Sequence, residues 1–432
     1  MNKSARQIAL SSLIKVLKNK AYSNLTLNQA FQKEKLSEKD KHLATRIVYG
    51  TIQHKLFLDY QVKHLLKSKV KDDYLVPLLW MSIYQLEFMD KIPERAVLDE
   101  ANKLSKQFGK KSQAFRLVNG VLRNYLRTGA VLPDPENQVA FLSVKYSFPE
   151  WLVQYFIKNF GDKSAEKMLA SYNEVAKNSV RIVRKNGFAE LAKAGFEPEE
   201  SALLRDVVLV KHGGVVNTDA FKNGDVTIQD EASAMVVKAF DFKGDEQVLD
   251  ACAAPGGKTM QIAESLTSGQ VSAMDLHGKK LNLIKENAKR LGVAEKVKTI
   301  QGDARKDNDA ISTSFDKILV DAPCSGLGLL RRKPEIRYEK TYEDIQNLAK
   351  IQAAILEKVV TYLKAGGELV YSTCSISVEE NEQVIKEFVK AHPEMELVKF
   401  QCGKLVAEKG MLKILPQQYG SDGFFIAKMQ KK

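Results

Sequence analysis

The chain has 432 residues, 44% hydrophobic and 28% charged, with a formal net charge of +13; it is long enough for two to four cored domains of ordinary globular composition. No run approaches the roughly eighteen apolar residues of a membrane span, and the first residues lack the apolar core of a signal peptide. The four cysteines (252, 324, 374 and 402) form no C-x-x-C pair, which argues against a zinc site or a disulfide framework and suits a reducing cytoplasm with no metal.

The charge is uneven. Residues 1–140 hold 24 Lys and Arg against 13 Asp and Glu, whereas the remaining 292 hold 42 against 40. A basic excess confined to one segment favours a polyanionic partner, nucleic acid above all. The competing reading is a basic surface that is merely soluble.

The first 130 or so residues read as helices. Ala5, Ile8, Ala9, Ser12, Leu13 and Val16 fall at the spacing of a buried helical stripe, and Ser4 stands three before Gln7 as a cap should. A second helix is expected to open at Ser37, with Asp40 three on, and to run through Ile47, Val48 and Ile52. Apolar periods around Tyr74–Met89 and Phe115–Leu126 complete a bundle whose lysines and arginines are the candidate RNA contacts. His42, His54 and His64 read as packing or surface residues rather than ligands.

Two prolines in Leu132-Pro-Asp-Pro-Glu136 mark a linker, and Pro149 opens a helix through Trp151–Phe160. Ser179–Arg184 and Asp206–Lys211 read as strands, with Gly213-Gly214 a turn. From Thr227 onward strands alternate with helices, which predicts a largely parallel, helix-covered sheet. Its strands are expected at 247–251, 271–275, 297–301, 316–321 and 367–372, with antiparallel pieces near 411–416 and 423–429. The expected domains are thus 1–140, all-helical; 141–226, small α+β; and 227–432, α/β.

The stretch Asp250-Ala-Cys-Ala-Ala-Pro-Gly-Gly-Lys-Thr259 joins a strand to a helix through a tight turn, the setting that puts a helix N-terminus beside a ligand. Two readings compete. Cys252-x4-Gly257-Lys258-Thr259 matches a phosphate-binding P-loop except at its first position, where glycine is required. A nucleoside cradle instead needs an acid at the end of the next strand, and Val271-Ser-Ala-Met-Asp275 supplies one. Further candidates fall at successive strand ends: Asp303, Asp321 in Asp321-Ala-Pro-Cys-Ser-Gly-Leu-Gly328, and Cys374 in Tyr371-Ser-Thr-Cys-Ser-Ile376. Ser377 and Glu380 have capping-box spacing, which would set a helix N-terminus beside Cys374. Several acids and two cysteines at successive strand ends are hard to explain as packing.

Asp250–Thr259, Asp321–Gly328 and Ser372-Thr-Cys-Ser375 together resemble the motifs of the RNA cytosine-5 methyltransferases of the Nop2/Sun (Fmu) family. Residues 1–130, including Leu117-Val-Asn-Gly-Val-Leu-Arg123, resemble the NusB-like RNA-binding domain, a pairing found in bacterial small-subunit ribosomal RNA enzymes. The resemblance implies a Rossmann-like methyltransferase domain with a mostly parallel seven-stranded sheet, preceded by the NusB-like bundle and the small α+β domain. It implies S-adenosylmethionine (SAM) as cofactor, held by Cys252, Ala253, Ala254, Pro255, Gly256, Gly257 and Lys258. Asp275 would bind the ribose and Asp303 would sit beside the adenine. Asp321 would lie between cofactor and cytosine, with Cys374 as nucleophile and Cys324 assisting product release.

That chemistry needs a thiol because cytosine C5 is a poor nucleophile until a thiolate has added to C6. The implied partner is ribosomal RNA, naked or in an early small-subunit particle, and the expected state is a monomer. The alternatives are the same reaction on transfer RNA or another ribosomal site, and an RNA-binding factor whose methyltransferase domain is inactive. Leu330-Arg-Arg-Lys-Pro-Glu-Ile-Arg337 resembles the family's stretch after the Asp321 motif and is expected to touch RNA phosphates, unless it is only a solvated loop. Leu415–Ile426 matches the family's closing hairpin. Ala251 departs from the pattern, which has a larger apolar residue there, and Cys402 matches no motif.

Overall fold

The computed structural model describes residues 3–19, 23–66, 70, 72–109, 114–311 and 314–432. They form two compact units. One runs to Asn173 and includes Arg337–Glu339; the other comprises Glu174–Ile336 and Lys340–Lys432.

Among its described residues the first unit is all helical. Its central helix, Leu75–Phe88, is apolar nearly all round and is buried by the others. Ala5–Asn19 opens as expected, with Ser4 Oγ accepting from Gln7 N at 3.2 Å, and Glu38–Gln53 is capped by Ser37 Oγ accepting from Asp40 N at 3.2 Å. An unforeseen helix, Ser23–Lys33, precedes it; its stripe is weak because Leu27 is buried while Leu25 points outward. Pro149 caps Glu150–Phe160, and both tryptophans, Trp80 and Trp151, belong to this unit. His54 is buried and stacked on Phe88 with 3.9 Å between ring centres, and burial with nearby Arg337 pushes its pKa down to about 3. It is a packing histidine.

The Leu132–Glu136 segment is non-helical, yet the chain beside it is fastened to the bundle. The Gln61 amide donates to Val131 O and accepts from Val131 N, both at 2.8 Å, and Ser147 Oγ accepts from Phe57 N at 2.9 Å. Helices Gln138–Tyr146, Glu150–Phe160 and Asp162–Ser171 therefore group with the bundle rather than with the small sheet that follows.

The second unit opens with a small antiparallel sheet in the order β2-β3-β1-β4: β1 Asn178–Ile182, β2 Glu199–Glu200, β3 Val207–Val210 and β4 Val226–Ile228. The large sheet contains β5 Gln247–Asp250, β6 Gln270–Asp275, β7 Val297–Gln301, β8 Phe315–Asp321, β9 Leu363–Thr373 and β10 Met395–Leu397. A separate hairpin, β11 Phe400–Cys402 and β12 Leu405–Ala407, precedes β13 Met411–Ile414 and β14 Phe424–Lys431. The large sheet runs β10-β14-β9-β8-β5-β6-β7 with β13 also on β14, eight strands among the described residues. Pairs from β7 to β9 are parallel, and the pairs of β14 are antiparallel. The seven expected strands are all present; the eighth is β10, a three-residue edge strand too short to leave a periodic signal.

The strands read as continuous apolar runs because both faces are covered. Val248, Ala273, Leu319 and Val370 pack toward helices Glu231–Val237, Gly257–Ser265 and Gly278–Leu291. Their neighbours Leu249, Met274, Val320 and Tyr371 pack toward Tyr342–Val359 and Val384–Ala391 on the other face. Ala251 is itself buried in this second core. Arg181 of β1 clamps Glu264 at 2.5 and 3.0 Å, tying the small sheet to the helix that begins at Gly257.

Candidate active site

Five chain exits converge at the carboxyl ends of the parallel strands, the place where open α/β sheets take ligands. Asp250, Asp275 and Asp321 are the last residues of β5, β6 and β8; Asp303 lies just beyond β7 and Cys374 just beyond β9.

The loop after β5 is held in shape by its neighbours. Ala253 N donates to Met274 O at 2.8 Å, and Ala254 N to Asp275 Oδ2 at 3.1 Å. Gly256 has φ +104°, and a Cβ there would also stand 3.2 Å from Ile284 Cγ1, so two constraints select glycine. Gly257 begins the helix, and a Cβ on it would meet nothing within 4 Å. Thr259 is buried and its hydroxyl donates to Asp250 Oδ2 at 2.6 Å. That disposes of the P-loop reading, because a P-loop hydroxyl must face a phosphate-bound metal.

Asp275 accepts from Ala254 N and, at 2.9 Å, from His277 N, so each carboxylate oxygen keeps an acceptor position. Asp321 accepts from Lys258 Nζ and from Ser372 Oγ, both at 2.7 Å, and Lys258 lies 5.2 Å over the Phe424 ring. Asp303 is gripped by Arg305 through Nη2 at 2.7 Å and Nε at 2.9 Å, which holds its pKa down at about 2.

Two cavities share this apparatus. One of about 480 Å³ is lined by Asp275, Asp303, Ile351, Ile355, Cys324 and Cys374. The other, about 370 Å³, lies between the small sheet and the loop and is lined by Val210, Ile228, Lys258, Arg332 and Asp422. Asp321, Cys252 and Ala254 line both.

The two motif cysteines, fifty residues apart in sequence, have their sulfurs 3.2 Å apart. The hydrogen bond to Cys374, then burial, pushes the Cys324 thiol well above its ordinary range. Burial and the surrounding carboxylates also raise the Cys252 thiol. Cys402 is buried in β11 and pushed up to about 12 by burial, so it is a core residue.

The expected Ser377–Glu380 capping box is only half formed. Glu380 N donates to Ser377 Oγ at 3.3 Å, but Ser377 N donates to Ser375 Oγ at 3.2 Å rather than to Glu380. The Glu380 side chain instead reaches the Cys324 loop, where Ser325 N donates to it at 2.7 Å. Sequence reasoning missed this; the signal was the serines beside the two motif cysteines, which need an acceptor once buried.

The Leu330–Arg337 stretch also departs from expectation. Arg331 donates to Gly420 O at 2.6 Å and Arg332 binds Asp422 and Asp230 at 2.8 and 2.9 Å. Arg337, within the helical unit, is fully buried, donates to Ser147 O and Asn173 Oδ1, and stacks 3.9 Å over Phe148. These three arginines brace the protein's own carbonyls and carboxylates. The closing hairpin is in place: Gly423 N donates to Gly328 O and Gly328 N to Cys374 O, both at 2.9 Å. A Cβ on Gly328 would stand 1.9 Å from Gly423 O, so this approach requires glycine.

An α/β methyltransferase fold carrying a helical NusB-type region is the class these elements define. Residues 237–430 match the family described as 16S rRNA methyltransferase RsmB/F, and residues 3–127 match the NusB family. A Bacillus subtilis (strain 168) protein named probable ribosomal RNA small subunit methyltransferase B is 43% identical, covering 99% of each chain. One from Serratia proteamaculans (strain 568), named ribosomal RNA small subunit methyltransferase B, is 33% identical over 100% of this chain and 99% of its own. A crystal structure titled PH0851 aligns over 100% of both chains with a TM-score of 0.81 at 27% identity. The chain belongs to the RsmB/F family of 16S rRNA methyltransferases, with a NusB-family domain ahead of the catalytic one.

Proposed function

We propose that this protein methylates C5 of a cytosine in small-subunit ribosomal RNA, with SAM as donor and Cys374 as covalent nucleophile. The observation that carries the reading is the Cys324–Cys374 sulfur pair, 3.2 Å apart in the cavity that Asp321 also lines. Cys374 Sγ adds to C6, and the displaced ring electrons make C5 enamine-like. SAM, when bound, supplies an electrophilic methyl carbon on a sulfonium. A base then takes the C5 proton, and the electron pair left behind expels Cys374 Sγ from C6. Cys324, whose thiol is held protonated, sits where it can assist that release. Asp321 contacts the base edge while Lys258 and Ser372 orient it.

The residues present fit the donor. Gly257 faces open space where a ligand can approach the helix N-terminus, and Asp275 keeps free acceptor positions for ribose hydroxyls. Asp303, clamped by Arg305, lines the same cavity and is assigned to the adenine end. The target cytosine must be unpaired or flipped out, since C6 is otherwise stacked. The basic NusB-family region supplies phosphate contacts, and the names of the relatives support ribosomal RNA as the substrate.

The test is methyl transfer from labelled SAM to protein-free small-subunit ribosomal RNA and to immature particles, with the product mapped by bisulfite sequencing. One protected cytosine is expected, and Cys374→Ala should abolish transfer while still binding SAM. Full activity in that variant would remove Cys374 from the nucleophile's role, and label on another base would remove the cytosine-5 assignment.

A further inference from the structure

The two thiols are carried by separate loops, and one buried carboxylate fastens both. Glu380 is 0% exposed, in the turn Glu379–Gln383 that follows β9. Its Oε2 accepts from Ser325 Oγ at 2.6 Å, Ser375 Oγ at 2.6 Å and Ser377 Oγ at 2.7 Å. Its Oε1 accepts from Ser325 N at 2.7 Å and from Gln352 Nε2 at 3.2 Å. Ser325 directly follows Cys324, and Ser375 directly follows Cys374.

The far sides of both cysteines are held too. Gln352 Nε2 donates to Pro323 O at 2.9 Å, so Cys324 is bracketed before and after. Thr373 Oγ1 donates to Asn381 Oδ1 at 2.6 Å, and Asn381 Nδ2 donates to Ser375 O at 2.9 Å, which brackets Cys374. Each serine hydroxyl has one proton, so hydroxyls that spend it on Glu380 cannot also donate to one another. Three hydroxyls on a single oxygen need a carboxylate's acceptor capacity. A glutamine would present its NH₂ group to donors on one side or the other and leave either the buried hydroxyls or the Ser325 N–H and Gln352 amide without an acceptor.

We propose that Glu380 is a positioning residue that sets the distance between the Cys324 and Cys374 thiols, and thereby the rate at which the methylated base is released. The catalytic half of this proposal rests on the cytosine-5 reading above; the geometric half does not. The experiment therefore separates them. With an aryl disulfide, one thiol of the pair displaces an aryl thiolate to give a mixed disulfide. The second thiol then displaces the other aryl thiolate and closes a Cys324–Cys374 disulfide; the pair is oxidised and the reagent reduced. Peptide mass mapping follows the closing step.

In wild-type protein the pair should close. In Glu380→Gln closure should slow by at least about 10-fold, with the protein arrested as the mixed disulfide. With RNA and SAM, kcat should fall on the order of 100-fold while both KM values stay within about threefold, and covalent protein–RNA adduct should accumulate. Ser375→Ala, which removes one donor and no charge, should move every readout the same way by less, and stands in if Glu380→Gln does not fold. Closure at the wild-type rate in whichever variants fold overturns the positioning role. Slowed closure with unchanged kcat and no adduct overturns the catalytic half alone. Slowed closure in a variant series whose wild type transfers no methyl to any RNA overturns the cytosine-5 reading and leaves the geometric half standing.

Discussion

Asp250 gives the fold a pH dependence whose sign is opposite to that of most carboxylates. Its side chain is 1% exposed; Oδ2 takes the Thr259 hydroxyl, and Oδ1 has no partner among the described residues. Burial lifts its pKa from 3.8 to about 7, against the opposing pull of the Thr259 bond. The unfolded chain thus loses this proton near pH 4, whereas the folded chain keeps it until about pH 7. Across that window the unfolded state binds fewer protons, so stability falls as pH rises, and the loss is complete above the folded value. At about 1.4 kcal/mol per unit the whole term is about 4 kcal/mol, of which roughly 2 to 3 kcal/mol develops between pH 5 and 8. Asp250→Asn abolishes the titration and keeps an acceptor for Thr259. Relative to wild type, the variant should gain that amount across the window, or roughly 5 to 10 °C in the melting temperature of the α/β unit. Scanning calorimetry of both proteins at half-unit steps of pH measures it. A difference in Tm that stays constant from pH 5 to 8 refutes the reasoning, because Asp250 would then titrate alike in both states.

Cys324→Ala should methylate but fail to release, so that SAM and RNA produce a slow-migrating, RNase-sensitive protein band; no such band means Cys324 has no part in release. Gly256→Ala forces a Cβ onto a φ of +104° and to 3.2 Å from Ile284, so it should lose about 1–3 kcal/mol of stability by thermal unfolding. Gly257→Ala meets no protein atom within 4 Å, so it should melt like wild type yet bind SAM on the order of 10-fold more weakly by calorimetric titration. Equal SAM affinity there would mean that the ligand does not approach this backbone.

Local pattern made the strands and their ends legible, because buried parallel strands announce themselves as apolar runs and the acids that end them interrupt those runs. Cys374 and Asp321 could therefore be placed at one edge of the sheet without knowing the strand order. What local pattern cannot carry is which side chain meets which across fifty residues. Glu380 has the spacing of a helix cap, and only the pairing of β8 with β9 brings Ser325 within its reach. The internal partners of the arginines at 331, 332 and 337 are illegible in the sequence for the same reason. A run of cations reads as a surface until its carbonyl and carboxylate partners, contributed from residues 53 to 422, are assembled. The sequence places a boundary at residue 140, just past the two prolines, whereas the Gln61–Val131 clip fastens the chain beside them and three further helices group with the bundle.

Both indoles, Trp80 and Trp151, belong to the helical unit, and the α/β unit contains only tyrosine and phenylalanine chromophores. Red-edge excitation of the native protein is therefore a private channel to the helical unit. A tryptophan introduced at Phe424, whose ring lies 5.2 Å from Lys258 Nζ, would open a second channel beside the candidate active site.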